Sequence, residues 1–200
     1  MSERFSCSKQ YPFFHKDDCT MPTTINTPQT RGHERSNLDT GKGGLELALK
    51  EHLAKHKLSV PQPFRMQVRL PTKGRGSALL AATDRMWLNL KAYAEGGENT
   101  LHAHTNEDHT FIVLQGRATF YGPEGEAVTF SRNEGILLPR GCRYYFHAEP
   151  GEALVLLRIG CVVDTDKAPW GRTGALGEPL PGSSKENKSV PTEFSDEYFQ

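Results

Sequence analysis

Ten short apolar runs crowd the middle of this chain: FRMQVRL (64–70), SALLAA (77–82), MWLNLKAYA (86–94), NTLHAH (99–104), HTFIVLQ (109–115), RATFYG (117–122), AVTFS (127–131), GILLPR (135–140), RYYFHAE (143–149) and EALVLLRIG (152–160). Gly, Pro, Asn or Asp separates most of them, in EGGEN, QG, GPEGE, RNEG, PRG and EPGE. These residues set tight turns and end strands. Strands so short and so evenly spaced read as an antiparallel sandwich or barrel. No run alternates with a helix here, which argues against a doubly wound α/β fold. The expected fold is therefore all-β over residues 63–162.

The flanks read differently. Residues 1–40 are rich in Ser, Thr, Pro, Asn and charge, and are expected to be a flexible arm. Residues 41–62 hold one amphipathic helix and a linker. In GGLELALKEHLAKHKL (43–58), Leu45, Leu49 and Leu53 share a face, which His56 or Leu58 extends. Glu46–Lys50 and Glu51–Lys55 are acid-to-base pairs in the favourable order. Gly43 and Gly44 precede the helix, and Pro61 and Pro63 follow it. His52 and His56, one turn apart, read as a surface pair. Residues 163–200 are dominated by Gly, Pro and Ser and are expected to form an extended tail. Trp170, Phe194, Tyr198 and Phe199 are its candidate anchors, on its own barrel or on a neighbouring subunit.

The 24 basic and 24 acidic side chains cancel, so no net basic field draws the chain to nucleic acid or to an anionic membrane. No apolar stretch approaches the roughly 20 residues that span a bilayer, and the first residues lack a run of signal-peptide type. A cytoplasmic location is the expectation. Cys7, Cys19, Cys142 and Cys161 show no C-x-x-C spacing and read as free thiols. Phosphate loops, dinucleotide fingerprints and nucleophile elbows do not occur.

One segment carries chemistry. LHAHTNEDHT (101–110) places His102, His104 and His109 within eight positions. On a strand, His102 and His104 point to one side while Leu101 and Ala103 point to the other. TNED then reads as a turn, and HTFIVLQG runs back alongside with His109 at its start. Three neutral imidazoles arranged this way suit one metal ion and leave its other positions open. Asp108 is a rival third ligand, and Glu107 a weaker one, deeper in the turn. The inward face of the return strand would carry His109, Phe111 and Val113, an apolar floor that excludes water. On the run before it, either Trp87, Asn89, Lys91 and Tyr93 face inward, or Met86, Leu88, Leu90 and Ala92 do. Near the Pro-Gly turn, Arg140 and Arg143 are positioned to meet a carboxylate, although solvated rim charge is the plainer reading.

GENTLHAHTNEDHTFIVLQG resembles the first motif of the cupin superfamily, in which Gly is followed by His-x-His, then Glu, then Gly. Gly96 or Gly97, His102, His104 and Gly116 match it, and His109 stands at the Glu position. NEGILLPRGCRYYFHA (133–148) resembles the second motif. Pro139 and Gly141 match, Asn133 replaces the leading Gly, Tyr144 stands where a His ligand belongs, and Ala148 where an Asn does. The resemblance covers about residues 64–160 and implies an antiparallel double-stranded β-helix, or jelly-roll barrel.

The resemblance also implies a divalent metal, Fe(II) first, with Mn, Ni, Co or Zn as alternatives. Cupins of this kind usually hold it with three His and one Glu, and some dioxygenases of the superfamily use three His alone. The corresponding set here is His102, His104 and His109. Tyr144 is the candidate catalytic residue, as a fourth ligand, a general base or a hydrogen-bond donor. Phe111, Val113, Arg143 and Phe146 are the candidates to bind a small-molecule substrate, while His147 is expected to face away. The leading functional expectation is a nonhaem iron dioxygenase. A redox-neutral lyase, isomerase or decarboxylase, or a non-catalytic small-molecule-binding module, are the alternatives. Family analogy suggests a homodimer.

Overall fold

A computed structural model describes residues 44–55, 59–95, 97–167, 171–180 and 190–200. The expectations for residues 1–40, Cys7, Cys19, His56, Leu58, Gly96 and Trp170 lie outside these. One helix, α1 (Gly44–Lys55), precedes twelve strands among the described residues. They are β1 (Val68–Lys73), β2 (Arg75–Ala82), β3 (Met86–Tyr93), β4 (Ala103–His104), β5 (Glu107–Gln115), β6 (Ala118–Tyr121), β7 (Ala127–Phe130), β8 (Gly135–Leu138), β9 (Tyr145–Ala148), β10 (Leu154–Val162), β11 (Arg172–Thr173) and β12 (Glu193–Phe199).

Every strand pair is antiparallel. A five-stranded sheet runs β2-β3-β10-β5-β8 and a three-stranded sheet runs β7-β6-β9. Together they make the antiparallel barrel that the ten runs lead one to expect, in the double-stranded β-helix form that the motif resemblance implies. The turns carry its signature. Gly116, Gly141 and the one non-glycine residue with positive φ among those described, Asn133 at 69°, sit where the chain reverses. Asn tolerates that conformation because its short side chain bonds locally.

Directly opposed residues of an antiparallel pair share a face, so the register shows which side chains look inward. Asn89, Arg158 and Phe111 form one row across β3, β10 and β5, and Lys91, Leu156 and Val113 the next. The odd-numbered residues of β3 therefore face the barrel interior. At its apolar end Tyr93, Phe111, Val113, Phe120, Tyr144, Phe146, Leu154 and Leu156 pack into the main core. Each fully buried aliphatic or aromatic side chain there contributes roughly 1.5–3 kcal/mol.

The even-numbered residues of β3 are not idle. Leu90 and Ala92 join Val68, Ala78 and Val155 in a second core on the outer face of the large sheet. The β1–β12 ribbon covers it, with Phe199 packed against the cluster. Residues 163–200, expected to lack strands, thus supply both β11 and β12. Arg69 Nε donates to the Ser195 carbonyl at 2.6 Å, and Ser195 Oγ donates back to the Leu70 carbonyl at 2.9 Å. Gly76 lies under the Phe194 ring, which a Cβ there would meet at 2.8 Å.

Helix α1 lays Leu45, Leu49 and Leu53 against Leu79, Ala82 and Trp87. His52 shares a hydrogen bond with the Gln62 side chain at 2.8 Å, and Gln62 bonds both the N–H and the carbonyl of Ala82. That histidine is therefore structural. Cys142 and Cys161 are free thiols, and no described helix is long and apolar enough to cross a membrane.

Candidate metal centre

The His-x-His segment is held from both sides. His102 bridges to Tyr144 through two backbone hydrogen bonds of 3.1 and 2.9 Å. His104 is opposed by Arg172 in the short β4–β11 pair. The turn that follows is tighter than TNED suggests. Asn106 is buried, and its amide donates to the Asp164 carbonyl at 2.8 Å and accepts from the Asp164 N–H at 2.9 Å. That anchor lets β5 begin at Glu107, so Glu107, His109, Phe111 and Val113 all look inward. Asp108 consequently looks outward, where it accepts a hydrogen bond of 2.7 Å from the Arg140 N–H.

Glu107, read above as the weaker rival ligand, is the centre of the cluster. It is fully buried. One of its oxygens, Oε1, pairs with the Arg158 guanidinium, stands 3.0 Å from His104 Nδ1 and lies 3.4 Å from His109 Nδ1. His104, Glu107 and His109 form a group able to hold a metal ion, with one donor atom from each within 4.8 Å of the others. His102 stands beside that group. Ring centres are 5.2 Å apart for His102 and His104, and 4.8 Å for His104 and His109. Imidazoles sharing one ion at about 2.1 Å have ring centres about 5 Å apart, which these two pairs match, but the donor atoms within 4.8 Å of one another come from His104, Glu107 and His109 and do not include one from His102.

The hydrogen bonds assign the nitrogens. His102 Nδ1 is 2.7 Å from the Thr100 carbonyl, so it carries the proton. His104 Nδ1 faces the carboxylate of Glu107 and is likewise the N–H. His109 Nδ1 faces the same oxygen at longer range. In His102 and His104, Nε2 is then the lone-pair nitrogen, the arrangement by which an acceptor behind a histidine orients a ligand. Nε2 of His104 is 3.4 Å from Arg158 Nη2, and Nε2 of His109 shares a hydrogen bond with the Tyr144 hydroxyl at 3.1 Å.

Burial lowers all three imidazoles below their ordinary value, His102 and His104 well below it. It is the leading cause for each, and positive charge adds to it, from Arg172 and Arg158 at His102 and from Arg158 at His104 and His109. Glu107 opposes the effect only at His109. Neutral imidazole is the form a metal ion needs. Burial also raises the Tyr144 phenol above its ordinary value, against the pull of Arg158 and Arg172. It keeps its proton at neutral pH.

Four of the sequence candidates meet here: His102, His104, His109 and Tyr144. Phe111 touches them edge-on, 5.4 Å from the His109 ring. Val113 and Phe146 lie further in, within the main core. Arg143 is exposed on the loop before β9 and stands apart from the cluster, as does the exposed His147. Glu107 was only the weaker rival for the third ligand, and Arg158 and Arg172 were not among the candidates. Arg158 did leave a trace, as a lone charge inside the apolar run LVLLRIG. Its Cζ sits 4.7 Å above the Trp87 ring and 5.5 Å from that of Phe111, which lets a cation occupy the interior.

Residues 89–160, from β3 through β10, match the family profile described as a cupin domain. The barrel is a cupin. Solved structures with a similar arrangement include a conserved protein with a double-stranded β-helix domain from Klebsiella pneumoniae, 15% identical, covering 54% of this chain and 84% of its own with a TM-score of 0.46. The cupin domain of Cnp3 from Schizosaccharomyces pombe is 18% identical, covers 48% and 69%, and gives a TM-score of 0.43. The polyketide cyclase RemF from Streptomyces resistomycificus is 26% identical, covers 47% and 70%, and gives 0.41. No curated protein matches the sequence.

Proposed function

We propose that this cupin is a metal-dependent enzyme, a nonhaem iron dioxygenase acting on a small organic molecule, with its ion held by Nε2 of His102, His104 and His109. The observation that supports this most is the set of oxygens behind the rings. Thr100 O and Glu107 Oε1 fix the protons of His102 and His104 on Nδ1. Glu107 itself is engaged by the Arg158 guanidinium. A cation at Glu107 would have to displace that charge, whereas one at the Nε2 atoms would take its place beside the Tyr144 hydroxyl, 3.1 Å from His109 Nε2, and Arg158 Nη2, 3.4 Å from His104 Nε2. Fe(II) bound there would supply electrons for dioxygen chemistry and positions for substrate.

The chain's own residues then do the rest. Phe111 and the core behind it keep bulk water out. Tyr144 is a hydrogen-bond donor rather than a base, because its phenol is neutral and buried. A lone pair that His109 gives to an ion is withdrawn from Tyr144, whose hydroxyl then has its proton to offer to a substrate. The same neutral phenol suits a redox-neutral lyase or isomerase with Mn, Ni, Co or Zn, and this is the second reading.

The test is elemental analysis of untagged protein, anaerobic Fe(II) reconstitution, and O₂ uptake against diketones, phenolic acids and thiols. Stoichiometric metal that disappears in His102→Ala and His104→Ala supports the enzyme. Tyr144→Phe should keep the metal and lose turnover. Turnover in the zinc-loaded protein without O₂ would favour the second reading. A folded barrel that takes up no divalent metal would mean a binding module.

A further inference from the structure

We infer that the interior beside the metal centre takes an organic acid, and that Lys91 and Arg172 grip its carboxylate. This deepens the proposed function by naming the substrate class of that site, but the grip uses none of the histidines. Register places the cations together. Ser77 is opposite Lys91 and Arg75 opposite Tyr93, so Arg75 is the diagonal neighbour of Lys91 on one side. Asn89 is opposite Arg158 and Leu156 opposite Lys91, so Arg158 is its diagonal neighbour on the other. Arg172 enters from the facing wall, opposite the inward His104.

Three of these cations are buried, and Lys91 and Arg172 lack a counter-charge among the described residues. Arg75, Lys91 and Arg158 are 6%, 8% and 8% exposed. Arg158 takes Glu107, and Arg75 donates to the neutral amide of Asn99. Among the described residues, no carboxylate pairs with Lys91 or Arg172, and neither side chain makes a hydrogen bond. Arg172 Nη2 is buried without a partner, as are Arg158 Nε and both ends of the Asn89 amide. The ammonium of Lys91 lies over the Tyr93 ring, 5.9 Å from the centroid. Burial, and then the charges of Arg75, Arg158 and Arg172, push Lys91 well below its usual value. Burial leads the lowering of Arg172, to about 10.

Buried polar groups without partners are uncommon, and each costs stability unless something satisfies it. A carboxylate would accept from the Arg172 fork, from Lys91 and from the Asn89 amide, and would lower the local positive excess. Tyr93, Tyr144 and Phe111, packed in one cluster, would cover an apolar body. The ligand is thus an acid with an aromatic or aliphatic body.

The test uses the full chain, once stripped of metal by chelator and once loaded with zinc. Benzoate and hexanoate are titrated calorimetrically and by thermal shift, beside benzamide, hexanamide and inorganic phosphate. The acids should bind and raise the melting temperature, and the amides should not. Lys91→Met and Arg172→Gln should each weaken the acids by about tenfold or more, with zinc affinity unchanged. Lys91→Met should melt no lower than the parent, since it removes an unpaired buried charge, so loss of folding does not confuse the result. His104→Ala should lose zinc and keep the acids, which separates this grip from the metal reading. Equal binding of acids and amides, binding of phosphate alone, or undiminished acid binding by Lys91→Met and Arg172→Gln would overturn it.

Discussion

Consider Glu107→Gln, an isosteric change that removes one charge from the centre of the barrel. In the parent, Oε1 of Glu107 serves Arg158, His104 Nδ1 at 3.0 Å and His109 Nδ1 at 3.4 Å. Glutamine keeps an oxygen for one or two of these donors but leaves the Arg158 guanidinium without its anion. Breaking a buried ion pair from one side costs about 3–5 kcal/mol. At about 2–4 °C per kcal/mol for a chain of this size, the melting temperature should fall by about 6–20 °C. Removing both charges, in Glu107→Gln with Arg158→Met, should cost less than the sum of the two single changes. Metal binding reads a second quantity. Rings that lose an orienting carboxylate typically bind metal about 10–100-fold more weakly, or about 1.4–2.7 kcal/mol. Co(II) titration followed by absorption, with denaturation of the metal-free protein, measures both. His102→Ala should weaken Co(II) more than Glu107→Gln does. Should Glu107→Gln abolish binding while His102→Ala leaves it intact, the carboxylate is itself a ligand and the three-imidazole reading is wrong.

Three further outcomes follow from features away from that carboxylate. The metal-free protein should lose stability in acid: the unfolded histidines take up protons near pH 6.5, while His102, His104 and His109, held lower by burial, refuse them when folded. Their contribution is complete above that pH and falls as pH drops toward the folded-state values, by about 1.4 kcal/mol per imidazole for each pH unit; urea midpoints unchanged between pH 7.5 and 5.5 would contradict this. Gly160→Ala should cost about 1–3 kcal/mol and shift tryptophan emission, because its Cβ would enter the Trp87 ring; an unaltered spectrum and melt would count against that packing. Asn133 has φ 69°, so Asn133→Ala should cost about 1–2 kcal/mol while Asn133→Gly costs little, and equal melts for the two would dismiss the strain.

Turn chemistry made the strand order readable. Gly116, Asn133 and Gly141 mark reversals in the sequence, and each adopts the positive φ that its type permits. The inward histidines were readable too, because alternation on a strand needs only the spacing. The start of β5 was not. Asn106 and Asp108 in TNED favour turns, and only the tertiary bonds of Asn106 to Asp164 shorten the turn and bring Glu107 onto the inner face. Those bonds join residues far apart in sequence, so no local pattern records them. The alternation did offer a hint, since 107 continues the inward series of 109, 111 and 113. Lys91 and Arg158 were equally visible as single charges in apolar strands, LNLKAY and LVLLRIG. Their meaning depended on which face of β3 looks inward, and both faces turned out to be buried. The strand β12 escaped notice because EFSDEYF mixes charges into its alternation and pairs only with the distant β1.

That last pairing bears on how the molecule can be cut. The family match runs from 89 to 160, yet the wall formed by Ala78, Leu90, Ala92 and Val155 is roofed by Val68 from β1 and Phe199 near the far end of the sequence. A fragment trimmed to the matching residues would carry an oily flank into water with nothing to shelter it. Expression boundaries chosen by similarity should therefore yield aggregates, and those that keep residues 44–200 together, with helix α1 over Leu79, Ala82 and Trp87, should yield a monodisperse protein.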